Sequence, residues 1–336
     1  MKKYLPLILL ILLIIFPLVG RDDYHRHLMI LVLMWVVIGT GWNIIAGCTG
    51  QVSFGTSAFF GVGAYTAGLF SFKLGLSPWW GLAVSGLVCM ALAFPFGWIS
   101  FRLRGPYFAL VTLALGEILR HIATIWESLT GGMVGILIVQ TYVSKVPYYY
   151  IVLALAVLSV AGVKVIMGTK WGYYFLSIRE DQDAAESLGI NTQFYKMLSL
   201  NISAFITGMV GALYMVYMGF IDPKVVFSLH DISIMAILVG IVGGVGTIYG
   251  PVVGAFIMVG LQEFFRTGFF GLFKWLGAVT NAEAVKVAAK YVSEAHVLGF
   301  GILVVLVILY LPNGIVGDWS KIIGAFIPRR KKEVQR

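Results

Sequence analysis

Read for its apolar and polar positions, the chain is a series of long apolar runs separated by short polar breaks. Ten runs stand out, at 4–20, 28–46, 51–72, 79–101, 107–126, 147–167, 198–220, 232–249, 251–270 and 297–316. At 1.5 Å per residue, a helix of about 20 residues crosses the roughly 30 Å hydrocarbon core of a bilayer. The breaks at 46–52 and 248–252 are too short for ordinary loops. Each is either a tight hairpin or part of a broken helix, so the count of spans is eight to ten. The pattern predicts an all-α fold, a polytopic transmembrane helical bundle occupying 1–336 as a single membrane domain.

One segment breaks the pattern. Lys170–Lys196 gathers Lys170, Arg179, Glu180, Asp181, Asp183, Glu186 and Lys196 between two apolar runs. Within it, Asp183 to Leu188 reads as a short helix that stops at Gly189, a residue suited to the left-handed position that ends helices. Asn191 offers an N-cap for a second short helix, giving a helix–turn–helix outside the lipid. By itself this segment is open to two readings, a docking loop or a solvated connector. A second polar stretch, 271–296, predicts an external amphipathic helix near Ala282–Glu294 lying on the membrane interface. Residues 317–336 form a basic tail.

Composition supports the membrane reading: 60% of residues are hydrophobic and only 12% are charged, against about 25% charged in soluble domains. The net charge of +9 reflects topology rather than nucleic-acid binding, because the aromatics are dispersed through the spans. Arg102, Arg104, Lys170, Arg179, Lys196 and the Arg329–Lys332 run all fall on one side, and the positive-inside rule makes that side, with both termini, cytoplasmic. The first run follows Lys2 and Lys3 but has no small-x-small cleavage pattern, so it reads as a retained helix rather than a signal peptide. Cys48 and Cys89 lack metal or redox spacing, and no metal site is expected. His25 and His27 read as solvated residues of a polar outer turn. Glycines at four-residue intervals (Gly240 and Gly244; Gly246, Gly250 and Gly254) read as sites of close helix approach, with a kink or break at Pro251.

Glu117 and Arg120 are the charges that fall near the middle of a span, three residues apart on one helix face. Such ions face a bundle interior or an aqueous path. They are either a structural pair holding helices together or part of a functional site, such as a coupling-ion or proton site. The sequence contains no GxxxxGK[ST] phosphate loop, no HExxH and no nucleophile–base arrangement, so an enzyme or an ATPase is not predicted.

Several short motifs carry a resemblance. The acid-Ala-Ala order of Asp183, Ala184 and Ala185, followed by Gly189, resembles the coupling loop of ABC-importer permeases, with Asp183 where that loop usually has Glu. Gly50-Gln51-Val52-Ser53-Phe54-Gly55, the run Arg102 to Leu113 continuing to Gly116-Glu117-Ile118-Leu119-Arg120, Thr130-Gly131-Gly132, and Gly243 to Pro251 occur in order around it. As a set, over residues 30–265, they are similar to the branched-chain amino-acid ABC transporter permease family, LivM-type. The chain departs from the family at Thr56, where His is frequent, and at Met133, where a polar residue is usual.

The resemblance implies an ABC-importer permease carrying branched-chain amino acids; the same family includes importers of urea and amides. It implies ATPase coupling through Arg179, Glu180, Asp181, Asp183, Ala184, Ala185 and Gly189. Gln51, Ser53, Thr56, Tyr65, Thr112, Glu117, Arg120, Thr130, Gly131 and Gly132 would serve the translocation path or its packing. The implied partners are a second related permease in a heterodimer, two cytosolic ABC ATPase subunits that use the ATP, an external substrate-binding protein and membrane lipid. This chain would bind no cofactor of its own, and its place would be a prokaryotic inner membrane. The rival from another class is an ion-coupled secondary transporter with Glu117 as its ion or proton site.

Overall fold

The computed structural model describes residues 5–19, 22–103, 106–139, 142–269, 301–302, 305, 309–310 and 314–317. Most apolar runs become helices close to their expected bounds: α1 Leu5–Val19, α2 Asp23–Trp42, α3 Thr56–Phe72, α4 Pro78–Ser100, α5 Pro106–Ile125 and, after the short α6 Glu127–Thr130, α7 Val146–Met167. Then follow α8 Lys170–Glu180, α9 Gln182–Ser187, α10 Thr192–Met218, α11 Pro223–Val226, α12 Met235–Gly243 and α13 Gly250–Glu263. Among the described residues, six helical stretches are long and apolar enough to cross a membrane: Asp23–Cys48, Pro78–Ser100, Pro106–Ile125, Val146–Met167, Thr192–Met218 and Pro223–Gly243. Two dipeptide strands, β1 Ile136–Leu137 and β2 Phe220–Ile221, pair antiparallel and mark one end of the bundle, the strand face. The segment carrying α8 and α9 marks the opposite end, the loop face. The helix expected near 282–294 and the tail beyond 317 lie outside the described residues, and the last expected span is described only in fragments.

Three expectations are corrected. The run 51–72 is not helical throughout: α2 continues through a π-helical turn, Asn43–Cys48, then residues 50–54 are non-helical and α3 begins only at Thr56. The run 232–249 likewise ends its helix at Gly243, and 244–249 forms turns before α13. Both short breaks are therefore breaks in helices, and Pro251 occupies the first turn of α13, where its missing N–H costs nothing. Third, no second short helix follows Gly189. Asn191 caps α10, which runs on for 27 residues.

The core is built by close backbone approach. A Cβ placed on Gly63 of α3 would lie 2.0 Å from the Gly208 carbonyl oxygen of α10, and one on Gly211 would lie 2.1 Å from the Phe60 oxygen. Where lipid surrounds the bundle, apolar side chains gain little by meeting each other, and small residues that let backbones touch carry the packing. The same device holds α12 against α13, where a Cβ on Gly254 would sit 1.9 Å from the Val239 oxygen. Into this frame are packed the fully buried Tyr149, Phe60 and Phe108.

The HRH segment is also corrected. It is not a polar turn but the first turns of α2. His25 is exposed and pairs with Asp22 at 2.9 Å, whereas the half-buried His27 shares a 2.5 Å hydrogen bond with the Tyr217 hydroxyl.

Candidate functional site

The loop face is held in shape by local sequence. Asp181 caps α9, its Oδ1 accepting from the Ala184 amide at 3.0 Å. The helix stops after six residues through two linked bonds, Gly189 N–H to Glu186 O at 2.9 Å and Ile190 N–H to Ala185 O at 3.1 Å. That pair of bonds requires a left-handed residue at Gly189, whose φ is +83°. Asn191 then caps α10 by accepting from the Phe194 amide at 3.0 Å. A polar cluster, with Thr192 and Lys196 buried and Glu186 exposed, ties α9 to α10. Gln182 donates to Glu186 at 2.9 Å, Thr192 donates to the same carboxylate at 2.5 Å, and Lys196 donates to the Gln182 side-chain oxygen. Lys196 is 1% exposed, so its charge is spent inside this cluster rather than on solvent. Ala185 faces inward, while Glu180, Asp183, Ala184 and the apolar Leu188 face outward.

Arg179 connects this face to the spans. Its Nη1 donates to the Gly47 carbonyl at 2.8 Å, capping one of the carbonyls left open where α2 ends. The guanidinium also lies against the turn 244–249: a Cβ on Gly246 would be 2.2 Å from Arg179 Nη1. The two breaks are joined to each other by Asn43, which is 1% exposed. Its Oδ1 accepts from the Gly246 amide at 2.8 Å and its Nδ2 donates to the Thr247 carbonyl at 2.9 Å.

Deeper in the bundle, the non-helical segment after α2 is secured by polar contacts. Trp42 Nε1 donates to the Ser53 carbonyl at 2.9 Å, the Phe54 amide donates to Thr112 Oγ1 at 3.0 Å, and the Gly55 amide donates to Ser53 Oγ at 3.2 Å. The start of α3 is capped from a distance: the Ser57 amide donates to Ser233 Oγ at 2.9 Å, and the two hydroxyls meet at 3.0 Å. Ser53 and Thr112 are thus brought together as buried groups, Thr56 is buried at the start of α3, and Gln51 is half-buried.

The remaining expected residues lie apart from that cluster. Tyr65 stacks on Phe227, ring centres 5.8 Å apart, and its buried hydroxyl has no partner among the described residues. Thr130, Gly131 and Gly132 form a turn at the strand face. The Thr130 hydroxyl bonds to the Ala123 and Trp126 carbonyls at 2.6 and 2.7 Å, and both glycines have positive φ. These three residues shape the chain's entry to β1.

Glu117 and Arg120 pair within α5. Arg120 Nε and Nη2 both donate to Glu117 Oε2, at 2.9 and 2.7 Å. Among the described residues these bonds are closed within α5 and reach no second helix, and the side chains are 27% (Arg120) and 36% (Glu117) exposed. Sequence reasoning missed Asn43, Ser57 and Ser233. Asn43 had a signal, an amide inside an apolar run, but its partners lie about 200 residues away and no local pattern points to them.

A family model described as "Branched-chain amino acid transport system / permease component" matches residues 26–307. The chain is 29% identical over 266 residues to the high-affinity branched-chain amino acid transport system permease protein LivM of Escherichia coli (strain K12), covering 70% of this chain and 62% of that protein. Its counterpart in Salmonella typhimurium gives 29% over 264 residues with the same coverage. The permease protein LivH of Escherichia coli (strain K12) is 23% identical over 307 residues, 84% of this chain and 91% of that protein. The chain therefore spans about 62% of the length of the LivM relatives it matches.

Proposed function

The chain belongs to the branched-chain amino-acid transport permease family, and on that premise we propose that it is a membrane permease subunit of an ATP-driven importer of branched-chain amino acids. The observation that carries this reading is the rigid connection from the loop face to the two helix breaks. α9 presents Asp183, Ala184 and Leu188 outward, while α8, immediately before it, carries Arg179 in its last turn, donating to the Gly47 carbonyl and abutting Gly246. A push on α9 has a covalent and hydrogen-bonded route to the ends of α2 and α12. Moving two breaks at once is a way to open one end of a path and close the other, by shifts of packed elements between discrete arrangements.

In this reading ATP is bound and hydrolysed by two cytosolic ATPase subunits, and this chain supplies no nucleotide site. A second, related permease completes the path, and an external binding protein delivers the solute. Glu180, Asp181, Asp183, Ala184, Ala185, Gly189 and Arg179 form the coupling element, and the loop face with both termini is cytoplasmic. The test is reconstitution of the chain with a related permease, ABC ATPases and a substrate-binding protein from the same organism. Uptake of radiolabelled leucine that depends on ATP and on all four kinds of component is the expected result. Leucine uptake by this chain alone, driven by an ion gradient, would overturn the reading in favour of a secondary transporter. ATP-driven uptake of urea or an amide without leucine uptake would overturn the solute.

A further inference from the structure

The Glu117–Arg120 pair has an open side. Both bonds within the pair use a single carboxylate oxygen, Oε2. Among the described residues, Glu117 Oε1 and Arg120 Nη1 have no hydrogen-bond partner, and the only other hydrogen-bond contact of the guanidinium is His121 Nε2, at 3.5 Å from Nη2. Glu117 lies eleven residues beyond the start of α5, about 17 Å along its axis at 1.5 Å per residue, near the middle of the hydrocarbon layer. Half-exposed charges at that depth do not face lipid chains; they face water or another polar surface.

The pair is neutral as a unit, which keeps its cost in the membrane low. Yet it leaves one anionic acceptor, Glu117 Oε1, and one cationic donor, Arg120 Nη1, unused on the same short stretch of α5. A ligand that is only an anion or only a cation would satisfy one of these and leave the other uncompensated. An uncharged amide would make only neutral–ionic bonds with each. A ligand with fixed charges of both signs on neighbouring atoms gains two fully charge-assisted contacts, roughly twice as strong as neutral ones, and no bond within the pair has to break. Leu113 and Ile118 flank Glu117 on α5 and offer apolar surface beside the charges.

We infer that Glu117 and Arg120 form a zwitterion-binding element of the path, in which Arg120 takes the carboxylate and Glu117 the ammonium of an α-amino acid with an apolar side chain. This rests on the permease reading and narrows its solute to one class, since urea and simple amides carry neither charge.

The experiment compares the fully assembled, reconstituted transporter carrying the unaltered chain with two double variants. Glu117→Gln with Arg120→Gln removes both charges. Glu117→Arg with Arg120→Glu keeps an internal pair and reverses it. Assembly with the partners, ATPase rate and initial leucine uptake are measured for each. Both variants are expected to assemble and to keep ATPase activity, while leucine uptake falls at least about tenfold, a loss of about 1.4 kcal/mol in transition-state binding. The reversed pair fails because the path fixes where the α-carbon substituents sit. A pair with only a structural role would be rescued by reversal. Uptake within about twofold of the unaltered transporter by either assembled variant overturns the inference. If the neutral variant does not assemble, the reversed pair decides. Absence of ATP-driven leucine uptake by the unaltered assembly would instead bring down the permease reading itself.

Discussion

Replacing Asn43 by alanine tests whether the two helix breaks are held as one unit. The substitution removes the acceptor of the Gly246 amide and the donor to the Thr247 carbonyl. Leaving a buried backbone group unsatisfied costs about 1–3 kcal/mol. Gly246 and Thr247 are half-buried, so water recovers part of the loss, and the lower end applies to each, about 2 kcal/mol in all. At roughly 2 °C per kcal/mol for a large chain, the apparent melting temperature in detergent should fall by about 4 °C. Asn43→Asp sharpens the test. It keeps the acceptor for Gly246 but turns an oxygen toward the Thr247 carbonyl and buries a charge, so it should be worse than alanine. Both variants should lose ATP-driven uptake by more than they lose folded protein, because the turn 244–249 is no longer coupled to α2. An alanine variant within about 0.5 kcal/mol of the unaltered chain, or an aspartate variant more stable than alanine, would refute the clamp.

Other consequences are as direct. Arg179→Ala should leave insertion intact and uncouple ATP hydrolysis from uptake, read as ATPase activity without leucine accumulation; full uptake would leave the loop a mere connector. Gly189→Val forces a β-branched residue into the left-handed region at a cost of about 1–2 kcal/mol. Because nothing lies within 4 Å of its Cβ position, its effect should be confined to α9 and appear as lost coupling at normal expression. Gly63→Ala drives a methyl into the Gly208 carbonyl and should destabilise the α3–α10 contact by about 1–3 kcal/mol, measured as a lower melting temperature. A cysteine at the exposed Ser187 should react with an impermeant thiol reagent only after the membrane is opened, since Cys48 and Cys89 are buried; labelling in intact cells would reverse the proposed orientation.

What the sequence determined by itself was whatever depends on neighbours along the chain. Span-length apolar runs specify helices because burying a backbone in lipid demands internal hydrogen bonds. The α9 stop at Gly189 and the cap at Asn191 were legible because both are satisfied within a few residues. A cap, however, says where a helix starts and nothing about how far it runs, so the 27 residues of α10 were not foreseen from Asn191. Glu117 and Arg120 were placed at mid-span, but spacing alone could not tell a bridge between helices from a pair closed within one.

Only the tertiary structure decided the breaks. The sequence marked short breaks at 46–52 and 248–252 but not their extent: an apolar residue outside a helix looks the same in sequence as one inside it, so 53–54 and 244–247 read as parts of the neighbouring runs. Helix can be abandoned there because distant groups satisfy the freed backbone: Thr112 takes the Phe54 amide, Ser233 the Ser57 amide, Arg179 the Gly47 carbonyl and Asn43 both ends of the 246–247 turn. Those partners lie between 58 and 204 residues away along the chain, and they meet only because glycine contacts such as that of Gly63 with Gly208 bring the helices close enough.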